Sequence, residues 1–151
     1  MIKFTVFCKP EPQGSTRAFM RKGMKFPVVT SDNKNLKSFR QQVSIAAITA
    51  MNEGHYTRIP KKVPVDLTVT FYFQRPASKS KKAFCVVKPD LDKLCRSIGD
   101  ALTGICFDDD SQITDLFARK CYGEPERAEI EVWEANAEAV QHASEMEKAK
   151  E

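Results

Sequence analysis

Ile2, Phe4, Val6 and Cys8 alternate with polar residues, the two-residue period of a half-buried strand, so a strand is expected to open the chain. Pro10, Pro12 and Gly14 break that period. The segment that follows, to about Asn35, sets Arg17, Arg21, Lys22 and Lys25 among Phe19 and Phe26 and reads as a loop or a hairpin turning at Lys22-Gly23. From Leu36 the spacing becomes helical. Leu36, Phe39, Val43, Ala46, Ala47 and Met51 share one face, with Asn35 in the N-cap position and Gly54 as the stop. Residues 63–73 alternate without a break and predict a second strand. A basic loop follows with Arg75, Lys79, Lys81 and Lys82, and then Pro89 and Asp90 open a second helix. Its buried stripe is Leu91, Leu94, Cys95, Ile98 and Leu102, with Gly104 as the residue beyond its C-terminus. Residues 113–122 and 128–133 read as two strands around the turn 123–126. The last stretch, 135–151, is rich in Ala, Glu and Lys with only Val140 and Met146 as anchors, which predicts a solvated helix of marginal stability.

A chain of 151 residues that is 42% hydrophobic fits one domain with a proper core, or one domain and a tail. No run approaches the ~18 apolar residues of a membrane span, and the opening strand pattern is unlike a signal peptide. A cytoplasmic protein with no membrane partner is expected. Five cysteines, Cys8, Cys85, Cys95, Cys106 and Cys121, form no C-x-x-C pair, and only His55 and His142 could join them, so reduced buried thiols are favoured over a zinc site.

Charge changes the picture most. Residues 1–88 carry 17 Lys+Arg against 4 Asp+Glu, whereas residues 89–151 carry 7 against 16. A basic half joined to an acidic one suits a metal-dependent enzyme acting on a polyanion, because one surface holds phosphates and the other a divalent cation. The acidic groups cluster as Asp90, Asp92, Asp100 and the triplet Asp108-Asp109-Asp110. On a helix, Asp92, Arg96 and Asp100 follow one another at i, i+4 spacing. Taken singly, Asp90 has a capping explanation and Asp92 an ion-pair explanation with Arg96. The triplet could be no more than an Asp-rich turn. Taken together, Asp-x-Asp at a helix start and one Asp from the next loop provide the hard oxygen donors that Mg²⁺ or Mn²⁺ prefers. A calcium loop fits less well, because the D-x-D-x-D-G spacing and the closing Glu are missing. A pair of carboxylates acting on a sugar is disfavoured by the basic half.

The run Lys88-Pro89-Asp90-Leu91-Asp92-Lys93-Leu94, then Asp100-Ala101-Leu102, then Asp109-Asp110-Ser111-Gln112-Ile113 resembles the signature of the RusA family of Holliday junction resolvases. The resemblance extends weakly to Lys9-Pro10-Glu11-Pro12-Gln13-Gly14-Ser15-Thr16-Arg17 and to residues 120–130, so it covers 1–134 as one domain and leaves 135–151 as a charged tail. It implies a mixed α/β (α+β) fold in which helices flank a mixed parallel and antiparallel sheet. It also implies a homodimer and Mg²⁺-dependent paired nicking of four-way DNA junctions, in recombination and repair, in a bacterial or prophage setting. Metal-binding residues carry over onto Asp90, Asp92 and Asp110, with Asp100 in support. Two positions depart from the family pattern: its Asn is Lys93 here, and its catalytic Lys is Arg96. Arginine keeps its proton near neutral pH, so Arg96 can stabilise charge or orient Asp92 but cannot act as a general acid or base.

On this reading Arg17, Arg21, Lys22, Lys25, Arg75, Lys79, Lys81, Lys82, Lys88 and Lys93 contact DNA phosphates, with a solvated basic surface as the plainer alternative. Phe19 and Phe26 are either base-stacking groups or a small satellite of the core. Competing functions are a nuclease acting on other branched nucleic acids, a junction-binding protein without chemistry, and a metal-buffering domain that leaves the basic half unexplained.

Overall fold

The computed structural model describes residues 1–14, 16–20, 22–31, 33–77 and 84–135, with backbone alone at 16–19 and 28–31. The expected tail helix therefore lies outside the described residues from 136 onward. The element order is β1 (Ile2–Val6), β2 (Thr16–Phe19), β3 (Val28–Ser31), α1 (Leu36–Glu53), β4 (Val65–Phe73), α2 (Leu91–Leu102), a single 3-10 turn (Asp110–Gln112), β5 (Ile113–Tyr122) and β6 (Arg127–Glu134). Four strands make one sheet in the order β1-β6-β4-β5. β6 runs antiparallel to both β1 and β4, while β4 and β5 are parallel. A parallel pair cannot be closed by a tight turn, and α2 lies on the crossover that joins these two. The fold is thus α+β with a mixed sheet, as expected.

Strand alternation sorts the sheet into two faces. Ile2, Phe4 and Val6, the five residues Val65, Leu67, Val69, Phe71 and Phe73, and Ala128, Ile130 and Val132 are all buried. They pack in one core with Phe39, Val43, Ala47 and Met51 of α1 and Leu94, Ile98 and Leu102 of α2. The opposite face is polar and carries Lys3–Glu131 at 2.5 Å, Arg127–Glu129 at 2.9 Å, and the Arg127 guanidinium 3.7 Å from the centre of the Tyr72 ring. Both helices therefore serve one side, and β1 and β5 are the sheet's edges.

Several boundaries differ from the sequence pattern for local reasons. β1 stops at Val6, where the Cys8 N–H turns back to the Val6 carbonyl at 3.1 Å. β4 begins at Val65 rather than Val63, whose N–H bonds the Pro60 carbonyl in a turn. Asn35 holds the N-cap position without a side-chain cap; the Asn33 side chain instead accepts from the Asn35 N–H at 3.0 Å. Gly54 ends α1 at an ordinary φ of −85°, and its missing side chain matters because a Cβ there would fall 2.1 Å from the Tyr56 ring. Gly104, by contrast, has φ +80°, the left-handed conformation that glycine adopts without strain. All five cysteines are free, and burial pushes the Cys106 thiol up to about 12.

Candidate active site

Asp90 stands at the N-cap position of α2 with extended backbone, and its carbonyl accepts from the Leu94 N–H at 3.1 Å. Its carboxylate makes no capping bond, so capping does not account for it. It faces Lys93 Nζ at 3.5 Å. Together with Lys9, Glu11, Lys88 and Lys93 it lines a groove of about 340 Å³ between the Pro-rich segment and the start of α2. Lys93 thus points away from Asp92, as its ~100° rotation on a helix requires.

Asp92 and Arg96 open onto a different cleft. Exposed and one turn apart on α2, they line a cavity of about 510 Å³ with Cys95, Gly99, Ile113 and Leu116, and Asp110 closes it from the loop ahead of β5. Among the described residues no ion pair joins Asp92 to Arg96, so the surface-pair explanation fails for both. A Cβ at Gly99 would sit 3.8 Å from Asp110 Cβ, so the glycine keeps the floor of the cleft low where the loop crosses the helix. Burial and the adjacent Asp92 raise the Cys95 thiol to about 11, which keeps it protonated beside the carboxylates.

The acidic triplet divides into two structural residues and one that faces the cleft. Asp108 binds Arg58 Nε at 2.9 Å and accepts from the Lys61 N–H at 3.1 Å. Asp109 accepts from the Ser111 N–H at 2.9 Å; the Ser111 hydroxyl, that N–H and then the positive Lys61 hold its carboxyl below the usual range. The Asp-rich-turn reading is therefore right for these two. The turn is organised by Gln112, a residue the motif contains but to which sequence reasoning gave no role. Buried, it accepts through Oε1 from the Asp108 and Asp109 N–H groups at 3.0 and 2.9 Å. Its Nε2 donates to the Pro60 and Val63 carbonyls at 2.7 and 2.9 Å. The capping box Asp109-x-x-Gln112 was the available signal.

A second positioning residue carried no sequence signal. Lys120 of β5 donates to the Val87 and Pro89 carbonyls, both at 2.6 Å, and so ties the strap before Asp90 to the sheet edge. The peptide bond Lys88-Pro89 is cis.

Asp100 is placed differently from the expected metal group. It is ion-paired with Arg40 of α1, which also bonds Gln13 Oε1, and it does not line the cleft. Two steps of four residues rotate a helix position by about 80°, enough to carry Asp100 from the Asp92 face to the α1 interface. Of the expected DNA-contacting residues, Lys22, Lys25 and Lys88 are exposed, and Arg75 lies 5.2 Å over the Tyr122 ring. Arg21, Lys79, Lys81 and Lys82 and the side chains of Arg17 and Phe19 lie outside the described residues. Phe26 is 78% exposed, which excludes it from any core satellite.

For a divalent cation the donor set is suitable but incomplete. Among the described residues no three Asp, Glu, His or Cys side chains converge on one point. The two carboxylates that share the cleft match the one or two that Mg²⁺ ordinarily takes from a protein, the rest of its octahedron being water and phosphate oxygen. They do not make an all-protein calcium cage.

A helix start and a loop thus bring two carboxylates and a guanidinium together in one cleft, beside a groove lined by Lys9, Lys88 and Lys93. The RusA family, described as Endodeoxyribonuclease RusA, matches residues 9–133, and the chain belongs to that family. It is 33% identical over 147 residues to the uncharacterized protein YqaN of Bacillus subtilis strain 168, covering 90% of this chain and 98% of the relative. It is 39% identical over 75 residues to the crossover junction endodeoxyribonuclease rusA of Lactococcus phage r1t, covering 49% of this chain and 57% of that protein. Among the described residues no helix is long and apolar enough to cross a membrane.

Proposed function

We propose that this protein resolves four-way DNA junctions by divalent-metal-dependent hydrolysis of phosphodiesters, as a step in recombination and repair. The observation that carries the proposal is the cleft lined together by Asp92, Arg96 and Asp110, with Asp90 two residues upstream in the adjoining groove. Family membership supports the nuclease class, and the phage relative supports a prophage setting and a junction substrate.

Asp92 and Asp110 offer hard oxygen donors, while Asp90 faces the adjoining groove beside Lys93. Mg²⁺, with Mn²⁺ as substitute, would neutralise the scissile phosphate and make a bound water acidic enough to lose a proton near neutral pH. The Arg96 guanidinium would donate to phosphate oxygens as charge develops on them. Lys9, Lys88 and Lys93 line the neighbouring groove, where the backbone of the bound strand continues. The Cys95 thiol, protonated near neutral pH, does not compete as a nucleophile. Because a junction is two-fold symmetric, paired nicking calls for two copies of the site, which a C2 homodimer supplies.

The test is cleavage of an end-labelled four-way junction and a linear duplex by wild type, Asp92→Asn and Arg96→Lys, with Mg²⁺ or EDTA. Symmetric nicking of the junction alone, abolished by Asp92→Asn, is the expected result. Arginine at position 96, where the family pattern has lysine, favours one second reading, junction binding without chemistry. Wild type that binds in EDTA and never cuts, with cutting restored in Arg96→Lys, would establish it.

A further inference from the structure

We infer that the tip of the β2–β3 hairpin engages unstacked bases at a DNA branch point. The inference deepens the proposed junction function and rests on it. Residues 20–27 connect two antiparallel strands, with Gly23 at φ +94° making the turn. Met20, Met24 and Phe26 in this connection are 63, 50 and 78% exposed. Three large apolar groups are thus exposed within one short connection, and exposure clustered in this way, unlike single scattered residues, points to a contact site.

Charge selects the occupant. Between Glu11 and Asp32 the chain has four Lys and Arg and no carboxylate, and the exposed Lys22 and Lys25 stand among the apolar residues of the tip. Lysine is depleted from the cores of protein–protein interfaces, so lysines set between the apolar groups argue against a protein partner. A nucleic acid presents both partners at once, phosphates for the ammonium groups and flat base faces for the ring and thioethers. In a linear duplex those faces are covered by neighbouring bases. At the exchange point of a junction they are readily uncovered, and Phe and Met are side chains that proteins wedge between base steps.

The root of the arm fixes where the tip works. The Asn33 side-chain amide donates to Glu11 Oε2 at 2.9 Å and to the Pro12 carbonyl at 3.0 Å, clasping the two ends of the hairpin. The Gln13 N–H donates to the Lys93 carbonyl at 2.9 Å in the first turn of α2, next to Asp92. The arm is therefore anchored on the helix that presents the carboxylates. From Gly14 to Met20 it reaches at most about 20 Å at ~3.3 Å per residue. A branch point a few nucleotides from the phosphate in the cleft lies within that reach.

The experiment uses the full chain in EDTA and a four-way junction with 2-aminopurine beside the exchange point, against a linear duplex of the same sequence. Wild type should prefer the junction and raise the 2-aminopurine fluorescence as it unstacks the base. Met24→Ala with Phe26→Ala should lose the rise and about 10-fold of the junction preference, the loss of one or two stacking contacts. Phe26→Tyr, which keeps a ring, should retain the rise. A doubly substituted protein that keeps both signals overturns the inference. So does a fall in sedimentation mass of that variant without DNA, which would assign the tip to a second copy of the chain. Wild type with no junction preference at all would remove the junction function itself, a different result from a variant-specific loss.

Discussion

At the scale of single residues, the four carboxylates expected to bind metal are not equivalent. Asp92 and Asp110 share the cleft, Asp90 adjoins it, and Asp100 is held by Arg40 on the helix interface. Asp100→Asn is therefore expected to cut junctions at a rate within about 3-fold of wild type and to lose at most ~1 kcal/mol of stability, the worth of a partly exposed ion pair. Asp110→Asn is expected to leave no cutting with an unchanged melting temperature. Cleavage and thermal unfolding of the two variants side by side check this. Asp66 offers a second test, away from the cleft. It lies opposite Asp115 in the β4–β5 register, and burial together with that neighbour raises its carboxyl. A raised carboxyl destabilises the fold above its native pKa and ceases to do so once pH falls below the ordinary value of ~3.9. Asp66→Asn should melt higher than wild type at pH 7, with the gap closing as pH falls towards 4.

At the scale of elements, the candidate site depends on two loops being held in one shape. Gln112 makes two hydrogen bonds within the acidic turn and two to the 60–63 segment, and Lys120 ties the strap before α2 to β5. Replacing Gln112 by Leu leaves two N–H groups and two carbonyls short of partners, a loss of roughly 2–4 kcal/mol. Urea unfolding should show that loss, and junction cutting should fall with it because Asp110 is carried by the same turn. The two helices and strands β1, β4 and β6 were legible from period alone, since each buries one face. Their ends were less so. Val63, Asn35 and Gly54 depart from the pattern because of a turn, a neighbouring asparagine and a tyrosine ring, none of which a hydrophobic period records.

For the whole molecule, the division of charge along the chain becomes a division in space only in part. The basic first half contributes Lys9 and Lys88 to the groove beside Asp90, so the lysines proposed to meet phosphate and the carboxylates proposed to hold metal come together at the start of α2. Junction affinity should then fall steeply with salt. Substituting Lys22→Gln and Lys25→Gln should lower the slope of log K against log salt by about 2, while Asp100→Asn leaves it unchanged. Binding measured across a salt series in EDTA checks both.

The sequence by itself determined the strands, the two helices, the family signature and the residue types that can hold a cation, because these follow from local period, composition and spacing. Tertiary structure decided which carboxylates share a cleft. Asp90, Asp92, Asp100 and Asp110 look alike in the chain, and their separation depends on rotation around α2 and on the position of Arg40. It depends equally on how Gln112 folds the acidic turn against a segment about fifty residues away in sequence, a contact that local pattern cannot encode.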